Sequence, residues 1–129
     1  MFDWKKPTVQ MLGRWQPWHD GHQALFKRCI AKTGQVIIQV RDVEGTSGGD
    51  GQNDNPFDWD LVCKNIEDGL SNDNFSRGEE YEIMLVPNIV NITYGRGVGY
   101  LFEEEVFDKS ITDISATKIR KEMREKGDL

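Results

Sequence analysis

One stretch limits what this chain can fold into more than any other: Gly13-Arg14-Trp15-Gln16-Pro17-Trp18-His19-Asp20-Gly21-His22-Gln23. An apolar run at 9–12 leads into it, and an amphipathic pattern over 22–33 follows. There Leu25, Phe26, Cys29 and Ile30 recur at helical spacing and Gly34 is a good C-terminal stop. A buried run that passes through a tight loop into a helix start is a strand–loop–helix unit. Such a start presents free backbone N–H groups and the positive end of the helix dipole, which is where α/β proteins hold phosphate. Both histidines of the chain stand there, with a glycine between them.

The rest of the chain continues the alternation. A first strand is expected over 8–12 and a second over 35–40, around Val36-Ile37-Ile38. Strand, helix and strand in that space imply a right-handed crossover and parallel pairing. Residues 43–55 are polar and carry Gly45, Gly48, Gly49 and Gly51, the composition of a mobile lid or binding loop. Asn55-Pro56 then reads as cap and first position of a second helix, with Phe57, Leu61, Val62, Ile66 and Leu70 on its inner face. A third strand is expected over 81–86. Residues 89–94 allow a further strand, 95–100 a flexible turn, and 100–107 either helix or strand. Ser115 caps a last helix with Ile119 and Met123 inward and Gly127 at its end. The order of elements predicts an α/β fold: a small doubly wound parallel sheet in three α/β/α layers.

At 129 residues, with no repeat and no linker, the expectation is one domain over 1–129. The net charge of −6 argues against a general nucleic-acid surface, so a polyphosphate would have to be met by local positive charge. Cys29 and Cys63 fall on inner helix faces and read as buried free thiols. No apolar run approaches the ~18 residues of a membrane span, and the start of the chain does not resemble a signal peptide. A soluble, cytoplasmic protein without a membrane partner is expected.

The residue types suit nucleotide chemistry. Transfer of a nucleotide onto a phosphate needs stabilised charge on the α-phosphate and the departing pyrophosphate, without a covalent intermediate. His19 and His22, at i and i+3 around a helix start, can both donate to phosphate oxygens from one side. Gly21 keeps the backbone amides open. At the far end Ser115 and Thr117 offer hydroxyls, and Arg120 a guanidinium that can fork across two oxygens. A zinc site is a poorer fit, because the cysteines lie on helix faces and no His-Glu-x-x-His spacing exists. Trp15 and Trp18 suit either stacking on a base or packing under the loop. Arg41, at the C-terminal end of a strand, and Arg96, among glycines, are candidates for acceptor or phosphate contact. Glu103-Glu104-Glu105 reads as a solvated face.

The run from Gly13 to His22 resembles the His-x-Gly-His signature of the nucleotidyltransferase (cytidylyltransferase-like) superfamily. Its Gly-Arg-aromatic-Gln-Pro-aromatic lead-in is similar to nicotinamide mononucleotide adenylyltransferases, as are Asn55-Pro56-Phe57 and Val86-Pro87-Asn88-Ile89. Ile114-Ser115-Ala116-Thr117-Lys118-Ile119-Arg120 resembles the Ile-Ser-Ser-Thr-x-Ile-Arg motif of that superfamily, and the length resembles bacterial glycerol-3-phosphate cytidylyltransferases. The resemblance implies a Rossmann-like fold, an NTP substrate, a phosphorylated small-molecule acceptor, Mg²⁺ and release of pyrophosphate. It implies catalytic roles for His19, His22 and Arg120. Gly13, Arg14, Trp15, Gly21, Ser115, Thr117 and Arg120 would form the nucleotide site, and a homodimer is expected. Residues 87–113 are too short for the further strand and helix of the longer adenylyltransferases. CTP against ATP therefore stays open, as does the alternative of a nucleotide-binding sensor module without turnover.

Overall fold

The computed structural model describes residues 1–45, 47–49, 52–53, 55–97, 99–112 and 114–127. The chain runs β1 (Val9–Gly13), α1 (Asp20–Thr33), β2 (Val36–Arg41), β3 (Ser47–Gly49), β4 (Gln52–Asn53), α2 (Trp59–Asn72), β5 (Tyr81–Val86), α3 (Lys109–Thr112) and α4 (Ala116–Glu125). β1, β2 and β5 form a parallel sheet in the order β1-β2-β5, with Val36 of β2 opposite Val9 on one side and Tyr81 on the other. β3 and β4 pair as a small antiparallel hairpin within the glycine-rich 43–55 segment, where no secondary structure is expected from sequence. Positions 46, 50, 51 and 54 of that expected lid lie outside the described residues.

The core lies between one face of the sheet and two helices. Val36, Ile38 and Val40, alternate residues of β2, are buried with Phe26 and Cys29 of α1 and Val62, Ile66 and Leu70 of α2. Tyr81 and Ile83 of β5 complete the cluster. Both helices share a face for a topological reason. A doubly wound, three-layer sheet needs the strand order to reverse, whereas β1-β2-β5 proceeds in one direction, and right-handed crossovers then fall on the same side. On the other face Gln10 and Gln39 are hydrogen-bonded by their amides.

Several local expectations are corrected. α1 begins at Asp20 with His19 as cap, and ends at Gly34, whose φ of 83° only glycine adopts cheaply. α2 begins at Trp59, capped by Asp58 through its bond from the Leu61 N–H (2.9 Å), so Asn55 is not a cap. Asn55 is instead buried. Leu61 points outward, because the buried stripe of α2 is Val62, Ile66 and Leu70 at i, i+4 and i+8. Cys29 is buried as expected and Cys63 only partly; both are free thiols. No helix or strand is assigned among the described residues of 89–107. Its acidic run is not a plain solvated face either. Glu103 and Glu105 pair with Lys32 (3.2 and 2.6 Å), Glu105 also with Arg28 (3.3 Å), and Arg28 lies over the Phe107 ring at 4.0 Å. This strap crosses α1 before α3. α4 then starts where expected, with the Ser115 hydroxyl accepting from the Lys118 N–H. No described helix is long and apolar enough to cross a membrane.

Candidate functional site

The histidines are organised by the helix start itself. His19 Nδ1 accepts from the Gly21 N–H (3.0 Å), and His22 Nδ1 accepts from the His19 N–H (3.2 Å), a capping box made of two imidazoles. An accepting Nδ1 carries no proton, so each neutral ring carries its proton on Nε2 and presents a single N–H donor there. The rings stack with centroids 3.7 Å apart and planes at 19°. Behind them stand two indoles, Trp15 edge-on to His22 at 4.7 Å and Trp18 at 5.4 Å.

These walls keep the pair uncharged. Burial, with His19 adding to it, pushes the pKa of His22 down from 6.5 to about 3, and burial lowers that of His19 against the pull of Asp20. The consequence for stability has a definite sign. In the unfolded chain His22 takes a proton near pH 6.5; in the folded chain it does not until about pH 3. Stability is therefore complete above pH 6.5 and declines as pH falls towards about 3, by up to ~1.4 kcal/mol per pH unit for this one group. Urea midpoints at neutral pH and near pH 5 are expected to show that loss, and His22→Gln to show a shallower one. Parallel profiles for the two proteins would contradict a neutral, buried His22.

The motif glycines are seats for rings. A Cβ on Gly13 would lie 2.8 Å from the Trp15 ring, and one on Gly21 2.8 Å from the His19 ring. Trp15 itself is 5% exposed, has φ 55°, and donates its indole N–H to the Gln39 carbonyl (3.1 Å). Trp15 is thus packed under the loop, and it also stands on the wall of the cleft shared with His22 and Arg120. Trp18 is packed too. It donates to the Gln23 amide oxygen (2.7 Å), whose nitrogen donates to the Gly69 carbonyl and to Asp73, both at 2.7 Å.

From the other end of the chain, α4 delivers Arg120. It is 2% exposed, with Nη1 donating to the Gln16 carbonyl (2.6 Å) and Nη2 to the Thr117 hydroxyl (3.3 Å). Gly13, Arg14, Trp15, His22 and Arg120 line one cleft of about 330 Å³, with Ala116 of the α4 first turn on its wall. His19 is stacked beside it, while Ser115 and Thr117 act as helix cap and as support for Arg120. Arg41 lies in a second cleft of about 410 Å³, with Leu12, Ile89, Val90, Asn91 and Ile92, and its guanidinium is held by Asn88 (2.7 and 3.2 Å). Leu12 borders both clefts. Arg96 is exposed and lines neither.

No family model matches the chain, and no curated protein is similar to it.

One residue of the site is missed from sequence. Gln16 is 4% exposed, and its amide clamps the Phe57 backbone from both sides, donating to the carbonyl (3.0 Å) and accepting from the N–H (2.9 Å). With its own carbonyl on Arg120, it ties the loop to the start of α2 and to α4. Arg14 adds a bond to Asn55 (3.4 Å). Its place as a polar side chain amid the rings of the lead-in is the signal that could have drawn attention to it.

Proposed function

We propose that this protein is a nucleotidyltransferase, moving a nucleoside monophosphate from ATP or CTP onto a phosphorylated small molecule with release of pyrophosphate. The observation that carries this reading is the convergence of His22 and Arg120, ninety-eight positions apart, on one cleft at the first turns of α1 and α4. Two helix starts and a guanidinium supply the local positive field that an acidic chain needs to hold a triphosphate.

In this reading an oxygen of the acceptor's phosphate attacks the α-phosphorus, and the bond to the β-phosphate oxygen breaks as pyrophosphate leaves. The Nε2–H groups of His19 and His22 donate to oxygens whose charge grows in the transition state. They do so as neutral donors, so no proton has to be removed first. Arg120 and Arg14 meet the leaving pyrophosphate. The cleft at Arg41 would take the acceptor, with the guanidinium on its phosphate and Leu12, Ile89 and Val90 against an apolar part. No cluster of three His, Cys, Asp or Glu side chains able to hold a metal occurs among the described residues. Mg²⁺ would therefore be carried by the nucleotide's own phosphate oxygens, a hard-cation preference that the histidine nitrogens do not meet. A Rossmann-like relation of the parallel sheet, a homodimer and a cytoplasmic location belong to the same proposal.

A second reading, a nucleotide sensor without turnover, draws on the burial of Arg120 and its bonds to Gln16 and Thr117. Two measurements separate the readings. Thermal stabilisation by ATP or CTP with Mg²⁺ is expected under both, and grows with occupancy. Pyrophosphate release with a panel of phosphorylated acceptors is expected only of a transferase. Stabilisation without pyrophosphate from any acceptor would favour the sensor, and no stabilisation by either nucleotide would refute both.

A further inference from the structure

α1 carries His22 of the cleft in its first turn and, six positions on, Arg28. Three consecutive residues of the strap engage that one guanidinium. Glu105 pairs with it (3.3 Å), the Val106 carbonyl accepts from its Nη1 (2.8 Å), and its central carbon stands 4.0 Å from the centre of the Phe107 ring. Lys32, one turn further along α1, takes Glu103 and the second oxygen of Glu105 (3.2 and 2.6 Å). An isolated surface pair would hold little, but here two cations share a carboxylate whose side chain is only 19% exposed. From this latch the backbone is bonded stepwise towards α4. The Asp108 carbonyl accepts from the Ile111 N–H and the Ile111 carbonyl from the Ile114 N–H, both at 3.1 Å, and Ser115 then caps the helix. α3 rests on α1 on the way: a Cβ on Gly21 would lie 3.8 Å from the Ile111 carbonyl.

We propose that Arg28 is a positioning residue for Arg120: through residues 105–107 of the strap it holds α4 docked, so that one helix, α1, sets both halves of the cleft. α4 needs such a hold. Arg120 is its one buried residue, and Met123 packs against the core only in part. A helix with so few buried apolar contacts opens at low cost. The Gln16 carbonyl that receives Arg120 lies 104 positions back along the chain. β5 ends at Val86, and no helix or strand is assigned among the described residues of 89–107. Anchoring the chain at Phe107 shortens the run that must close before Ser115 from 87–114 to 108–114, about fourfold. For a flexible chain that raises the local concentration of α4 at the cleft ~8-fold. The consequence for nucleotide rests on the triphosphate reading of the cleft; the docking of α4 does not.

Hydrogen exchange on the full chain, without nucleotide, tests the docking. In Arg28→Met, a change at a half-exposed position, the amides of α4 are expected to lose protection by up to ~8-fold while those of β2 and α2 keep theirs. Glu105→Gln, which leaves α1 untouched, should act in the same direction. Salt at roughly 1 M should lower α4 protection more in the wild type than in Arg28→Met. Unchanged α4 protection in both variants, or an equal loss in every element, would overturn the proposal. Arg28→Met is also expected to raise the apparent Kd for ATP or CTP with Mg²⁺ by up to ~8-fold, and to add nothing in an Arg120→Met background. An affinity indifferent to Arg28→Met, or a full further loss where Arg120 is already gone, would equally overturn it. Absence of nucleotide binding by the wild type would refute the transferase and sensor readings instead, and the exchange result would still decide the docking.

Discussion

His22→Ala is expected to lower the rate of pyrophosphate release about 10²–10³-fold, the usual cost of one lost donor to a developing oxyanion. Nucleotide affinity should change much less, because the donor acts where charge grows rather than on the ground state. The capping box allows a sharper control. His22→Asn retains a short side chain with both an acceptor and a donor, so it can keep some of the box while misplacing the Nε2 donor. Its helix should be more stable than that of His22→Ala, yet its rate should stay low. Equal rates for wild type and His22→Ala would remove the imidazole from the mechanism. A fall in nucleotide affinity as large as the fall in rate would make it a binding group instead.

Arg120→Lys is expected to weaken triphosphate binding by ~1.4–2.8 kcal/mol, roughly ten- to a hundredfold in Kd. The charge is kept, so the effect isolates the planar fork. In the structure that fork reaches the Gln16 carbonyl at 2.6 Å and the Thr117 hydroxyl at 3.3 Å. An ammonium cannot hold both while facing a phosphate. Thermal stability should also fall, because the Gln16 carbonyl sits among buried groups and would lose its charge-assisted donor. Arg120→Met separates the two effects: it removes the charge, and should bind nucleotide more weakly than Arg120→Lys at comparable stability. Isothermal titration with ATP and with CTP reads all three. Equal affinity in wild type and Arg120→Lys would show that Arg120 only braces the loop.

Much of this site was legible in the chain, and particular residues show where legibility ended. The pairing of His19 with His22 is an i, i+3 relation at a helix start, so their mutual capping is contained in the local sequence. Ser115 as the cap of α4 is local in the same sense. Asn55-Pro56 looks equally like a helix start and is not one. The Phe57 backbone is held by the Gln16 amide, forty-one residues away, and α2 begins only after Asp58. Glu103 and Glu105 read as solvated because their partners, Lys32 and Arg28, lie in the first helix. Leu61 fits the helical period of α2 but falls off the stripe that the sheet covers.

The sequence by itself determined the alternation of strands and helices, the two capped helix starts and the chemistry of the residues placed at them. These depend on periodicity and on hydrogen bonds within a turn, both of which reach only a few residues. Tertiary structure decided that Gly13 and Gly21 make room for rings, that Trp15 is packed under the loop, and that Arg120 is buried against Gln16 beside His22. Each of these is a matter of which surfaces the parallel sheet brings into contact. Close packing joins groups whose distance along the chain leaves no local mark on either one.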